Sequence, residues 1–152
     1  MSAAYQIQTR APTPFHASRA MFDSMTTHLA SAAGLKMDHS ALEAWAMDNG
    51  RELIRQLLQD HFDLRAVQER VVRVCDNDGV ERTERHTSHR TLRSLVGDVA
   101  VGRLLYQAAG CEGLSPADAE LRLPDDCYSM GVRREVACLA ALRRRTRRRA
   151  RR

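Results

Sequence analysis

Lysine is nearly missing from this 152-residue chain. Lys36 is the only one, and every other strong base is arginine. That bias points to a GC-rich coding sequence and excludes little chemistry. Other absences exclude more. The four cysteines, Cys75, Cys111, Cys127 and Cys138, form no C-x-x-C pair, and no histidine pair stands at zinc-finger distance from them, so a structural zinc site has no support in the spacing. Free, reduced, buried thiols are expected instead. No basic region followed by an apolar run opens the chain, and no apolar stretch approaches membrane-spanning length. Neither a signal peptide nor a membrane span is expected, and the cytoplasm is the expected location.

The charge is less basic than it first reads. Lys+Arg is 24 and Asp+Glu is 19, a formal +5. Residues 143–152 hold eight arginines and no acid, so the remainder balances at 16 − 19 = −3. The body is mildly acidic, and the basic character belongs to the tail. A length of 152 residues suffices for one domain with its own core.

Periodicity sets the expected elements. Residues 1–14, with Pro12 and Pro14, read as a flexible leader. Met21, Phe22, Met25, Leu29 and Ala32 make a helical stripe over 15–33, stopped by Gly34. Ser40-x-x-Glu43 has the form of a capping box that opens a second helix. Asn49-Gly50 is a point where that helix bends or breaks. From Arg51 to Arg70, Leu53, Leu57 and Leu64 share a line with Ile54, Leu58 and Phe62 beside it. That face is expected to centre the core. Val71 to Cys75 is a short β-type run, and Asp76-Asn77-Asp78-Gly79 is a turn signal.

Glu81 to Tyr106 reads as a long β-hairpin whose two-residue turn falls at Gly97-Asp98, where glycine accepts a positive φ. Ser115-Pro116-Ala117-Asp118 starts one helical turn in an otherwise irregular, acidic stretch that runs to Asp126. Ser129 is the N-cap of a final helix carrying Val132, Val136, Leu139 and Ala140. Helices, then strands, then a helix make the fold class α+β: one unit over 15–142, followed by a disordered arginine-rich tail over 143–152.

The hairpin is the first pointer to function. Arg82, Arg85, Arg90, Arg93 and Arg103 lie along its arms, with His86 and His89 between them. A solvated, twisted basic ribbon fits a nucleic-acid groove, so these five arginines are the candidate DNA-binding residues. Against Glu81, Glu84 and Asp98 they leave 5 − 3 = +2, a modest patch that a solvated strand face paired with nearby acids explains equally well. His86 and His89 point to opposite strand faces, which makes a shared metal awkward. Asp60 and Asp63 are neighbours at i, i+3 on a helix, as an ordinary solvated face would place them. Two-metal chemistry needs further convergent carboxylates. No catalytic residue, metal ligand or cofactor is assigned.

Several segments, in order, resemble the N-terminal part of ISKra-type insertion-sequence transposases (the ISKra-four family). They are Gly50-Arg-Glu-Leu-Ile-Arg-Gln-Leu-Leu-Gln-Asp-His61, Gly79-Val-Glu-Arg-Thr83, and Leu95-Val-Gly-Asp-Val-Ala-Val101 with Arg103, Leu104 and Tyr106. Pro116 to Pro124 and Tyr128 to Arg134 continue the likeness. The resemblance spans roughly residues 21–136. It implies a non-catalytic region that helps bind DNA ends, since such transposases carry their acidic triad on a ribonuclease-H-like core downstream of it. The likeness fails after about Ala137, where LRRRTRRRARR follows. The expectation is a truncated or frameshifted remnant with DNA as partner through phosphate contacts and no membrane partner. The alternative is self-association through the apolar face of residues 51–70. A metal-dependent nuclease built on His61, His86, His89 and nearby acids is the remote third reading.

Overall fold

The computed structural model describes residues 13–149; most of the expected leader and residues 150–152 lie outside them. The chain is α+β, with four α-helices and one two-stranded antiparallel sheet among the described residues. The order is α1 (His16–Ala30), a 3-10 turn (Gly34–Lys36), α2 (His39–Gln68), β1 (Glu84–Ser94), β2 (Gly97–Gln107), α3 (Pro116–Glu120) and α4 (Met130–Arg149).

Helix α1 begins without a cap of its own. Phe15 precedes it at φ 62, a left-handed conformation costly for a bulky residue, and offers no side-chain acceptor. The acceptor comes from α2. Asp60 Oδ2 receives the backbone N–H of Ser18 at 3.0 Å, and Gln56 Nε2 steadies the other carboxylate oxygen at 2.8 Å. Ser18 and Asp60 are both buried. Burial pushes the Asp60 carboxyl up, but hydrogen bonds from Ser18 and Gln56 and the nearby His16 outweigh it and hold the group below its usual value. The expected solvated face is thus half right. Asp63 is exposed and accepts from Gln59, whereas Asp60 is a tertiary cap that ties α1 to α2. The ring of His28 stacks on Trp45 at 4.7 Å and makes a second tie between the two helices.

Helix α2 starts earlier than the capping box implied. Asp38 is the N-cap, and its Oδ1 accepts from Ala41 N at 2.8 Å, which leaves Ser40 inside the first turn. Aspartate caps as well as serine and adds a favourable charge at the positive end of the helix dipole. Gly50 does not interrupt the helix. One glycine costs only about 1 kcal/mol against alanine, which packing along a 30-residue helix outweighs.

The small core lies under one side of α2. Phe62, Leu92, Val99 and Val101 form its buried centre, with Leu58, Leu121 and Leu123 packed around them. The rest of the expected α2 stripe is not core. Ile54 is 51% exposed and Leu57 41%, because a two-stranded sheet covers only part of a helix circumference.

The hairpin forms with a different turn. Ser94 pairs with Gly97, so Leu95 and Val96 make the loop, and Gly97 follows at φ +126 as the first residue of β2. Ser94 Oγ donates to Gly97 O at 2.6 Å and accepts from Val96 N at 3.2 Å. This register sets Leu92 opposite Val99 and Arg93 opposite Asp98. A turn centred on Gly97-Asp98 would face Leu92 with Arg103. Apolar and opposite-charge pairing across the strands decides between the two.

The outer edge of β2 is occupied, and that of β1 only at its turn end. Along β2, Gln59 of α2 bonds both backbone groups of Ala100, at 2.8 and 3.0 Å, and Glu69 accepts from Leu104 N at 2.8 Å. Along β1, Arg93 N donates to Cys127 O, and Arg93 O accepts from Ser129 N at 3.0 Å. The covered β2 edge is blocked to other chains, whereas the β1 edge over Arg85, Thr87, His89 and Thr91 is exposed.

Instead of a strand, residues 71–75 contribute a short irregular pairing. Arg82 N reaches Val74 O at 2.8 Å, and Cys75 bridges Glu81 around a turn stabilised by Asp76 Oδ1. All four cysteines are free. The expected burial fails for them: Cys75 and Cys138 are exposed, and Cys111 and Cys127 are half-buried. Ser129 caps α4 as expected, accepting from Val132 N at 3.2 Å. The helix then runs through Arg149, so the first seven residues of the expected loose tail are helical. Among the described residues, no helix is long and apolar enough to cross a membrane.

Candidate nucleic-acid interface

Strand alternation divides the five hairpin arginines. On β1 the odd positions Arg85, Thr87, His89, Thr91 and Arg93 are all exposed, whereas Arg90, Leu92 and Ser94 turn to the covered side. His86 falls in the other register from His89, so the two histidines do not converge. Among the described residues, no three His, Cys, Asp or Glu side chains gather in a way that could hold a metal ion.

Arg90 and Arg103 are consumed by the fold. Asp118, on the one-turn helix α3, sits 3.2 Å from Arg90 Nη1 and 3.3 Å from Arg103 Nη1. Arg90 Nη2 also donates to the carbonyls of Pro124, Asp125 and Asp126. These contacts strap residues 115–126 over the sheet, where Leu121 and Leu123 close the core. Arg103 is incompletely satisfied: its Nε and Nη1 are buried without hydrogen-bond partners, as are Ser115 Oγ and Asp118 Oδ1. A guanidinium held this way has no free fork for a phosphate, and releasing it would uncover the core.

Arg82 lies outside both strands. It is buried, paired to Asp76 at 2.9 Å, and keeps Nε and Nη1 without partners. Arg93 is exposed but engaged. It donates to the Tyr128 hydroxyl at 3.1 Å and lies 5.4 Å from that ring's centroid. The electrostatic interaction with the Tyr128 phenol oxygen and then its hydrogen bond push the Arg93 guanidinium up. Arg85, near the open end of the hairpin, is exposed to solvent. The structure therefore leaves Arg85 and Arg93 as outward-facing bases and turns Arg82, Arg90 and Arg103 inward.

The remaining basic element is α4. It adjoins β1 at its first turn, where Ser129 pairs with Arg93, and Arg133 reaches Asp126 at 2.8 Å. That bond, followed by the Tyr128 backbone N–H, holds the Asp126 carboxyl below its usual value. Every residue from Arg133 to Arg143 is exposed. The helix stands off the body and carries the run Arg143-Arg-Arg-Thr-Arg-Arg-Arg149 on its backbone. Sequence reasoning located this run but gave it no secondary structure. It also missed Asp118 as organiser of two arginines, for which the only signal was its place in the Ser-Pro-Ala-Asp turn.

A cleft of about 400 Å³ lies between the C-terminal end of α2, β2 and α3, lined by Phe62, Arg65, Glu69, Arg70, Gly102 and Glu120 among others. Its charges balance, and Arg65 is paired with Glu120 at 3.1 Å. No family model, curated protein or solved structure matches the chain.

Proposed function

We propose that the chain is a non-catalytic, DNA-binding N-terminal module of an insertion-sequence transposase, which meets DNA in the cytoplasm chiefly through helix α4. The ordered segments between Gly50 and Arg134 that resemble ISKra-type transposases favour this reading. The single observation that carries the mechanism is the projection of α4, exposed from Arg133 to Arg143 and continuing into a sequence with six arginines within seven residues. A helix with this charge gains affinity by releasing counterions from phosphates and reads little sequence. Arg93 beside its root and Arg85 along β1 supply flanking contacts, while Arg82, Arg90 and Arg103 act on DNA binding only by holding the fold.

The test is fluorescence anisotropy with a labelled duplex over a series of salt concentrations. Removing residues 143–152 should abolish most binding. The double variant R85A/R93A should bind more weakly and flatten the slope of log K against log salt by about 0.9 per lost phosphate contact. Unchanged affinity after removal of residues 143–152 would refute the α4 mechanism. The reading also expects no magnesium- or zinc-dependent cleavage of plasmid DNA by this chain. Self-association remains a second reading, favoured by the apolar side chains exposed on α2 and α4.

A further inference from the structure

Two apolar surfaces of this chain face solvent and do not meet each other. One is a groove between α1 and α2 of about 570 Å³, lined by Phe15, Phe22, Leu53 and Leu57, with Arg19 and Asp23 at its polar edge. Phe22 is 54% exposed there. The other is the stripe of α4, where Val136 is 60% exposed and Leu139 53%. These two stand at i, i+3, with Val132 one turn before them, so they form a single ridge. Large side chains grouped on complementary shapes, a groove and a ridge, are the elements of helix-in-groove recognition.

Charge selects the occupant. Helices α1 and α2 together carry six acidic against four basic side chains, a balance of −2. Helix α4 carries eight arginines against Glu135, a balance of +7. Two α4 helices laid side by side would repel each other strongly, whereas α4 against the α1–α2 layer brings opposite charges together.

We propose that α4 of one copy docks in the α1–α2 groove of a second copy. The contact is heterologous, because each copy offers one ridge and one groove, so association continues from copy to copy unless a ring closes. The proposal does not rest on the DNA-binding reading: its ridge is Val136 and Leu139, although the arginines of α4 enter both through their charge.

Complementation tests it. The full chain is measured by sedimentation velocity from low to several hundred micromolar, beside Leu139→Glu, which spoils the ridge, and Leu57→Arg, which places a cation in the groove. Both sites are exposed, and circular dichroism checks that each variant keeps its helices. The wild type should grow in mass with concentration, and each variant alone should stay monomeric. An equimolar mixture of the two should form dimers and stop there, since one copy supplies an intact groove and the other an intact ridge. A wild type that is monomeric throughout overturns the proposal. So does a mixture that stays monomeric while the wild type associates, because that outcome means like surfaces pair with like. Leu139→Glu should still bind DNA, so loss of assembly and loss of DNA affinity are read separately.

Discussion

Replacing Asp60 with alanine removes the acceptor that caps α1 from another helix. In the native chain the Ser18 N–H reaches Asp60 Oδ2 at 3.0 Å in a buried setting, and Phe15 offers no substitute. A hydrogen bond to a charged acceptor contributes about 1.5–3 kcal/mol, and a buried donor left unpaired loses its hydration without compensation. Gln56 loses a partner too, but it is half-buried and can turn to water. The expected loss is therefore about 2–3 kcal/mol. For a domain of this length that lowers the melting temperature by roughly 4–12 °C. Urea unfolding followed at 222 nm gives the free energy, and amide exchange of Ser18 reports the bond itself. The acid limb supplies an independent check. Because the Asp60 carboxyl is held below its usual value in the fold, its contribution is complete above the unfolded value of about 3.9 and fades as pH falls through the folded one. Asp60→Asn should lack this part of the acid loss. A change below about 0.5 kcal/mol in Asp60→Ala, with Ser18 still protected, would refute the claim that α1 depends on a cap supplied by α2.

Asp118→Ala should cost on the order of 2–4 kcal/mol, since it leaves Arg90 and Arg103 mostly buried beside no carboxylate; urea unfolding at neutral pH measures it, and a neutral result would show that the strap over residues 115–126 is held by Leu121, Leu123 and the Arg90 bonds to its carbonyls without help from Asp118. Gly97→Ala should cost about 1–2 kcal/mol, because φ +126 is strained for alanine and the new methyl would meet Arg55 Cδ at 3.1 Å. Thermal melts resolve that change, and an unaffected variant would mean the tight Leu95-Val96 turn does not need glycine after it.

The helices were legible wherever apolar residues recur at helical spacing over many turns. Residues 51–70 carry the strongest such pattern, and the structure places them up to Gln68 in one helix that begins at His39 and passes the expected bend at Asn49-Gly50. Boundaries were less legible, since Asp38 and Ser40 are both good caps and only the fold chooses between them. The hairpin was legible as two β-prone arms, but the turn was not, because glycine with positive φ serves beside the loop as well as within it. The five candidate arginines looked alike in sequence. Their separation depends on acids 28 residues from Arg90 and six from Arg82, and no local pattern announces which guanidinium meets which carboxylate. The cysteines misled for a related reason: with so small a core, positions such as 75 and 138 find nothing to bury them.

The order of elements, the α+β class and the concentration of positive charge at the C-terminal end follow from the chain itself, because periodicity and composition are local properties. The tertiary structure decided which bases remain available to a partner. It spent Arg82, Arg90 and Arg103 on internal carboxylates, covered the β2 edge with side chains from α2 and only the turn end of the β1 edge with backbone from the strap, and left residues 133–143 of α4 exposed. The physical reason is that a charge is satisfied by whatever lies within a few ångströms of it, and in a chain of 152 residues those neighbours are set by packing rather than by sequence distance.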